Sequence, residues 1–411
     1  MRDEPTAPDD APTDGALSSA AALARDLVRR PSVTPDAGDA LALLAERLAQ
    51  AGFEVERPVF SEPGTPDVEN LFASFGDASA GPVLALAGHA DVVPVGDEAA
   101  WTHPPFGGEV SGGMLYGRGA CDMKGGLAAL ADAALRFARA HPEPRGAVVL
   151  LVTGDEEGPA VNGTAKLLEW ARARGVRLDH CVLAEPTSAE RFGDTMKIGR
   201  RGSLTGEVVV RGRQGHVAYP ERAENPIPGL VRLLGALVAR PLDAGTENFA
   251  PSNLEITTVD VGNRASNVIP AHARARFNVR FNDLWTPETL AAAIEARLRD
   301  AAGNEVSFEL SFEPTNAVAF LTRPGPFVAR VAAAVEAETG VAPALSTSGG
   351  TSDARFIQAH AEVVELGVVA RAMHGVDEHA ALAEIEALSR VTHRLLVDLL
   401  AAPSVPGDAR S

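Results

Sequence analysis

The stretch "AVVLLVTGDEEG", residues 147–158, runs six apolar residues into Thr153 and Gly154 and then into three consecutive carboxylates, Asp155, Glu156 and Glu157. An apolar run this short and unbroken fits a strand covered on both faces, as in the middle of a parallel sheet. Two other runs repeat the design: "PVLALAGHADVVP" (82–94) passes into His89 and Asp91, and "HCVLAEPT" (180–187) passes into Glu185. Between them, Leu127–Ala140 and "GTAKLLEWARARG" (163–175) have helical composition and spacing. Alternating buried strands and helices predict an α/β fold with a mixed central sheet flanked by helices, and ligands in such sheets sit beyond the carboxyl ends of the strands. One sheet edge is therefore expected to gather His89, Asp91, Asp155, Glu156, Glu157 and Glu185.

Outward from this centre, residues 20–52 read as two helices interrupted by "RRPSVTPDAG", and "FEVERPVF" and "NLFASFG" as strands. Beyond Lys197 the texture changes. "SLTGEVVVRGRQGHVAYP", "LEITTVDVG" and "ARARFNVRFN" alternate apolar and polar residues, with helices expected over Ile227–Ala239 and Pro287–Ala301 and a last strand in "EVSFELSFEP". Strand-helix-strand-strand-helix-strand is the order of an α+β, ferredoxin-like sandwich. The expected organisation is a leader over 1–18, a catalytic domain over 19–196 and 314–411, and an inserted dimerisation or lid domain over 197–313.

Of the 411 residues, 45% are hydrophobic, and no apolar stretch approaches the roughly 18 residues of a membrane span. The acidic, Pro-rich N-terminus has no apolar segment of a secretory signal, so a disordered leader and a cytoplasmic location are expected. A net charge of -18 argues against nucleic-acid or anionic-membrane partners and leaves a small-molecule substrate. Cys121 and Cys181 make no metal-binding pair pattern and read as small core residues.

Histidine nitrogens with carboxylate oxygens are the donor set of a catalytic zinc site. In "GHAD", His89 would bind metal through one ring nitrogen while Asp91 holds the other N–H; in "CDMKGG", Asp122 precedes a helix and has two oxygens with which to bridge two ions. Adjacent glutamates at a strand end point in different directions, so Glu157 could coordinate while Glu156 faces the cleft as a general base. Alone, "DEEG" is equally a solvated turn; "GHAD", "CDMKGG" and "AEPT" at similar strand ends weigh against that. His374, in "RAMHGVDEH", would complete the ligands, with His379 a competitor, and spacing assigns no role to His216.

These motifs, with "GRRGSLTG", "GRQGHVAYPERAENPI", "SNVIP" and "SGGTSDARFI", resemble the dinuclear zinc amidohydrolases of the M20 peptidase group over about residues 20–401. The resemblance implies two Zn2+ per subunit, which Co2+ can replace, with His89 and Glu185 on one ion, Glu157 and His374 on the other, and Asp122 bridging. It implies a cis Asp122–Met123 peptide, Glu156 as base and proton donor, and a homodimer through the inserted domain in which His216 reaches the partner's site. The implied substrate has three carboxylates, N-succinyl-LL-2,6-diaminopimelate before an acetylornithine- or aminoacylase-type amide, met by Arg200, Ser203, Asn267, Arg280, Gly350 and Thr351. Ser266 departs from the Asn usual in the group. A metal-free binding protein is disfavoured because all five ligand candidates are present, and a serine hydrolase because no G-x-S-x-G elbow surrounds Ser346, Ser348 or Ser352.

Overall fold

In a computed structural model of the chain, residues 17–401 are described. Helices α1 (Ser19–Val28) and α2 (Gly38–Gln50) lead to strands β1 (Glu54–Glu56), β2 (Leu71–Gly76) and β3 (Val83–His89). Helix α3 (Gly125–Ala140), β4 (Ala147–Thr153), α4 (Thr164–Ala173), β5 (His180–Leu183) and β6 (Thr195–Lys197) follow. The middle of the chain forms β7 (Gly202–Arg211), α5 (Pro226–Val238), β8 (Asn253–Asp260), β9 (His272–Phe281), α6 (Pro287–Ala302) and β10 (Phe308–Phe312). The last part adds α7 (Pro326–Thr339), β11 (Ala344–Ser346), β12 (Glu362–Glu365) and α8 (Leu382–Leu400).

The chain divides into two compact units. The first comprises residues up to Ile198, Thr322–Ser346 and the part from Ser352 onward; the second comprises Gly199–Leu321 and Thr347–Thr351. Residues 314–321, placed by the sequence reading with the catalytic domain, lie in the second unit because Leu321 and Phe320 pair with Gly199 and Arg200. Most of the expected leader lies outside the described residues. Ser18 belongs to the fold, since its hydroxyl accepts from the Ala21 N–H and caps α1.

In the first unit, eight strands form a mixed sheet in the order β1-β2-β4-β3-β5-β12-β6-β11. Strands β3 and β4, parallel from Val83↔Ala147 to His89↔Thr153, are buried at every residue, which is why both read as unbroken apolar runs. Their common direction brings His89 level with Thr153, so the polar residues after each strand emerge together. Helix α3, Ala-rich and buried nearly all round, packs against α1 and α8. Its first turn lies close to the end of β5: a Cβ on Gly126 would stand 2.5 Å from the Ala184 carbonyl oxygen, so only glycine fits there.

The second unit is an antiparallel four-stranded sheet in the order β8-β9-β7-β10. Leu204, Val208 and Val210 of β7 and Ala275, Phe277, Val279 and Phe281 of β9 face α5 and α6, which contribute Leu230, Leu233, Leu237, Leu290, Ile294 and Leu298 to one core. A side chain on every second residue faces that core, the period-2 pattern of a half-covered sheet. Among the described residues no helix is long and apolar enough to cross a membrane.

Candidate active site

Beyond the ends of β3, β4 and β5 the first unit gathers its carboxylates around two histidines. Asp122 stands between them: its Oδ1 is 3.2 Å from His89 Nε2 and its Oδ2 is 3.3 Å from His374 Nε2. His374 Nε2 is also 3.0 Å from Glu157 Oε1, and His89 Nε2 is 3.8 Å from Glu185 Oε1. His89, Asp122 and Glu157 offer ligand atoms within 4.8 Å of one another, and so do His89, Glu156 and Glu185. The peptide between Asp122 and Met123 is cis. His374 has a positive φ of 60° on a loop, a conformation rare for a non-glycine residue. His379 lies elsewhere, in a short strand with its ring beside Tyr116 and its Nδ1 hydrogen-bonded to the Asp377 carbonyl.

Asp91 corrects one expectation. His89 Nδ1 lies 2.9 Å from the Asp91 main-chain oxygen, whereas the nearer carboxylate oxygen is 3.6 Å away. The carboxylate is engaged by the backbone that follows β4: Glu156 N–H donates to its Oδ1 at 3.3 Å and Glu157 N–H to its Oδ2 at 3.1 Å. Asp91 thus fixes the peptide carrying both glutamates. Asp155 braces the next turn, its Oδ2 accepting the N–H groups of Val161 and Asn162, both at 2.9 Å. The opening acidic triplet therefore divides: Asp155 turns inward to hold backbone, and Glu156 and Glu157 reach the cluster.

Electrostatics mark this as a site organised around positive charge. Burial pushes Glu156 up to about 8 and Asp91 up to about 6. Burial alone would lower His89, but Asp122, Glu185 and Asp91 outweigh it and hold the imidazole well above its ordinary value. Hydrogen bonds to Asp122 and Glu157 raise His374 to about 10. Burial opposes ionisation of Asp122, yet His374 and His89 hold it below the usual carboxylate range. The clustered carboxylates thus favour positive charge at both rings. The donor set, two imidazoles and four carboxylates with one carboxylate facing both rings, has the composition and closeness that a pair of divalent cations requires.

Sequence reading assigned no role to Asp353 or Arg355, although both sit in its "SGGTSDARFI" motif. Arg355 is buried with Nη1 3.5 Å from Asp353 Oδ1 and 4.0 Å from Glu156 Oε1. The only signal available was their place in that Gly-rich motif, since in sequence an Asp and an Arg two residues apart look like surface charges.

The expected substrate contacts lie in the second unit. Arg200 is buried and donates to the Gly350 carbonyl at 3.2 Å; Thr351 follows Gly350, where added side-chain atoms would meet open space. Ser203 faces Arg280 across the β7–β9 pair and accepts from Asn278 Nδ2 at 3.1 Å. Arg280 is half-buried, and burial followed by repulsion from Arg201 lowers its pKa. Asn267 is exposed, its carbonyl accepting the Val217 N–H. His216, also exposed, pairs with Val268 in a short bridge and lies against Tyr219.

The family model for peptidase family M20/M25/M40 matches residues 85–398. A succinyl-diaminopimelate desuccinylase of Methylobacterium nodulans is 64% identical over 94% of this chain and 96% of its own length. The protein of the same name from Nitrobacter hamburgensis is 54% identical over 92% and 98%. Among solved structures, the M20 metallo-carboxypeptidase Sso-CP2 of Sulfolobus solfataricus has a TM-score of 0.73 at 17% identity, covering 92% of this chain and 99% of its own. The Bacillus subtilis YXEP protein, described as a dinuclear metal binding peptidase from the M20 family, has a TM-score of 0.68 at 17% identity, covering 92% and 97%.

Proposed function

Because this chain belongs to peptidase family M20/M25/M40, we propose that it is a succinyl-diaminopimelate desuccinylase, hydrolysing N-succinyl-LL-2,6-diaminopimelate to succinate and LL-2,6-diaminopimelate in lysine and cell-wall precursor synthesis. The observation that carries the chemistry is the division of Asp122, one oxygen toward His89 and the other toward His374. His89 and Glu185 would hold one cation, Glu157 and His374 the second, with Asp122 between them; zinc fits these donors, and cobalt can occupy the same set. When bound, such ions polarise the amide carbonyl and make water acidic enough to attack it.

The chain's own groups manage the protons and the orientation. Glu156 accepts the proton of the attacking water at its carboxylate and delivers it to the amine nitrogen as the C–N bond breaks, so water is divided between the two products. Asp91 keeps Glu156 and Glu157 on station through their N–H groups. Arg200 and Arg280, with Ser203, Asn267, Gly350 and Thr351, bind the substrate's carboxylates, for which guanidinium forks are the best-matched partners. The reaction draws on a biosynthetic intermediate, consistent with a cytoplasmic enzyme.

The test is hydrolysis of N-succinyl-LL-2,6-diaminopimelate by purified protein, stripped of metal and then reloaded with zinc, beside N-acetylornithine. A preference in kcat/KM of roughly 10²-fold or more for the succinylated substrate is expected, because polar groups built to pair with a substrate's carboxylates reject an analogue that lacks them. Equal or reversed preference overturns the substrate assignment.

The working form is a homodimer through the second unit, His216 of the partner subunit steadying the oxyanion. In support, β8 is an edge strand, and α5 presents Val231, Gly235 and Val238 along one outer stripe, the two valines 63% and 59% exposed. Light scattering should give twice 42.7 kDa, and Val231→Asp should weaken dimerisation at least about 10-fold by placing a charge in an apolar contact. A wild-type monomer with full activity refutes this arrangement.

A further inference from the structure

The mechanism above leaves one fully buried ion pair unused. Glu378, four residues beyond His374, is wholly inaccessible to solvent. Its Oε1 accepts two main-chain N–H groups, from Cys121 and from Asp122 itself, each at 3.0 Å. Its Oε2 is 2.6 Å from Arg118 Nη1. The same guanidinium donates to the Gly375 carbonyl at 3.2 Å and the Pro94 carbonyl at 3.4 Å, with the Trp101 ring 5.1 Å from its carbon. The backbone joins in, since Gly117 N–H donates to the Glu378 carbonyl at 2.8 Å. Next door, Asp377 Oδ1 accepts the N–H groups of Thr102 and His103 at 2.8 and 3.1 Å.

Burying a carboxylate and a guanidinium costs more than burying apolar side chains of equal volume, so their presence calls for a task that apolar packing cannot do. The atoms they hold identify that task. One end of the pair grips the peptide N–H of Asp122; the other grips the carbonyl next to His374. We infer that Glu378, buttressed by Arg118, is a positioning residue of the metal centre, setting the separation between Asp122 and His374 so that one carboxylate faces both histidines. This rests on the two-cation reading proposed above. Groups that orient metal ligands without touching the ion are worth roughly 10–100-fold in metal affinity.

The test is zinc titration of the chelator-stripped, full-length protein against a chromophoric competitor, at a temperature where circular dichroism shows each variant folded. Glu378→Gln keeps the volume and one acceptor but loses the charge facing Arg118. It is expected to weaken at least one of the two zinc affinities by roughly 10–100-fold and to alter the absorption spectrum of bound Co2+. Arg118→Lys keeps the charge but loses the fork, and should act in the same direction by roughly 10-fold. A general packing role would lower the melting temperature and leave affinities and spectrum alone; folded Glu378→Gln with both affinities within twofold of wild type overturns the inference. If Glu378→Gln does not fold, Arg118→Lys decides on the same criterion. Wild-type protein that binds no zinc removes the two-cation reading and this inference with it, whereas two tight ions in the wild type and unchanged variants remove this inference alone.

Discussion

Glu156→Gln lowers kcat by roughly 10³-fold or more while the protein still binds two zinc ions. The glutamine has nearly the same shape but cannot take up the proton, so proton transfer is deleted; losing one general acid–base group typically removes 10²–10⁴-fold, and here one group serves both attack and departure. The site makes this variant more informative than usual. Glu156 lies within ligand distance of His89 and Glu185, so its geometry alone is compatible with coordination. If Glu156 is a ligand, the substitution weakens zinc by an order of magnitude or more; if it is the base, zinc content holds and turnover collapses. Near-normal turnover removes Glu156 from the mechanism altogether.

Removing the cations is the second large effect. Chelation should abolish hydrolysis and lower the melting temperature, and zinc should restore both, since an ion at 1,000 times its Kd contributes about 4 kcal/mol to the folded state. The charge arrangement adds a pH signature. Without cations, His89 and His374 are held protonated, His374 up to about 10, and burial holds Glu156 up to about 8. Each is a raised value, so the proton is present below it; those on the two imidazoles, the ligands among the three, must leave before or as the cations enter. Affinity therefore falls as pH falls: between pH 8 and 6, loading of two ions onto two protonated imidazoles should weaken by roughly 10²-fold per pH unit in the combined constant. Calorimetry in buffers of different ionisation enthalpy should count about two protons released per two zincs. A pH-independent affinity contradicts this charge balance.

The elements legible in the sequence were those whose burial is uniform or strictly alternating. β3, β4 and β5 announce themselves because both faces are covered, and β7 and β9 because one face is. Sheet order was not legible: nothing in "AEVVELGV" says that β12 lies between β5 and β6, a long-range pairing. At the site, residue types at strand ends pointed to His89, Glu156, Glu157 and Glu185, Asp122 was read just before a helix, and the family resemblance chose His374 over His379; the fold brings these six together. Asp91 was legible as a residue of the site but not by its partner, since its carboxylate holds backbone N–H groups and not the His89 ring. Asp353 and Glu378 were invisible for a physical reason: they hold arginine or backbone partners out of solvent, and a carboxylate so committed looks, in sequence, like any carboxylate in water.

The position of β12 also bears on how the protein is made. A chain leaving the ribosome presents β3, β4 and β5 early, but the partner of β5 on its open side is β12, which follows the entire second unit in the sequence. Until translation reaches Glu362–Glu365, β5 offers an unpaired edge of the kind that recruits foreign strands. His374 arrives later still. The growing polypeptide is therefore expected to depend on chaperone cover through the middle of its synthesis, and to remain without amidase activity until nearly the last of these elements has emerged.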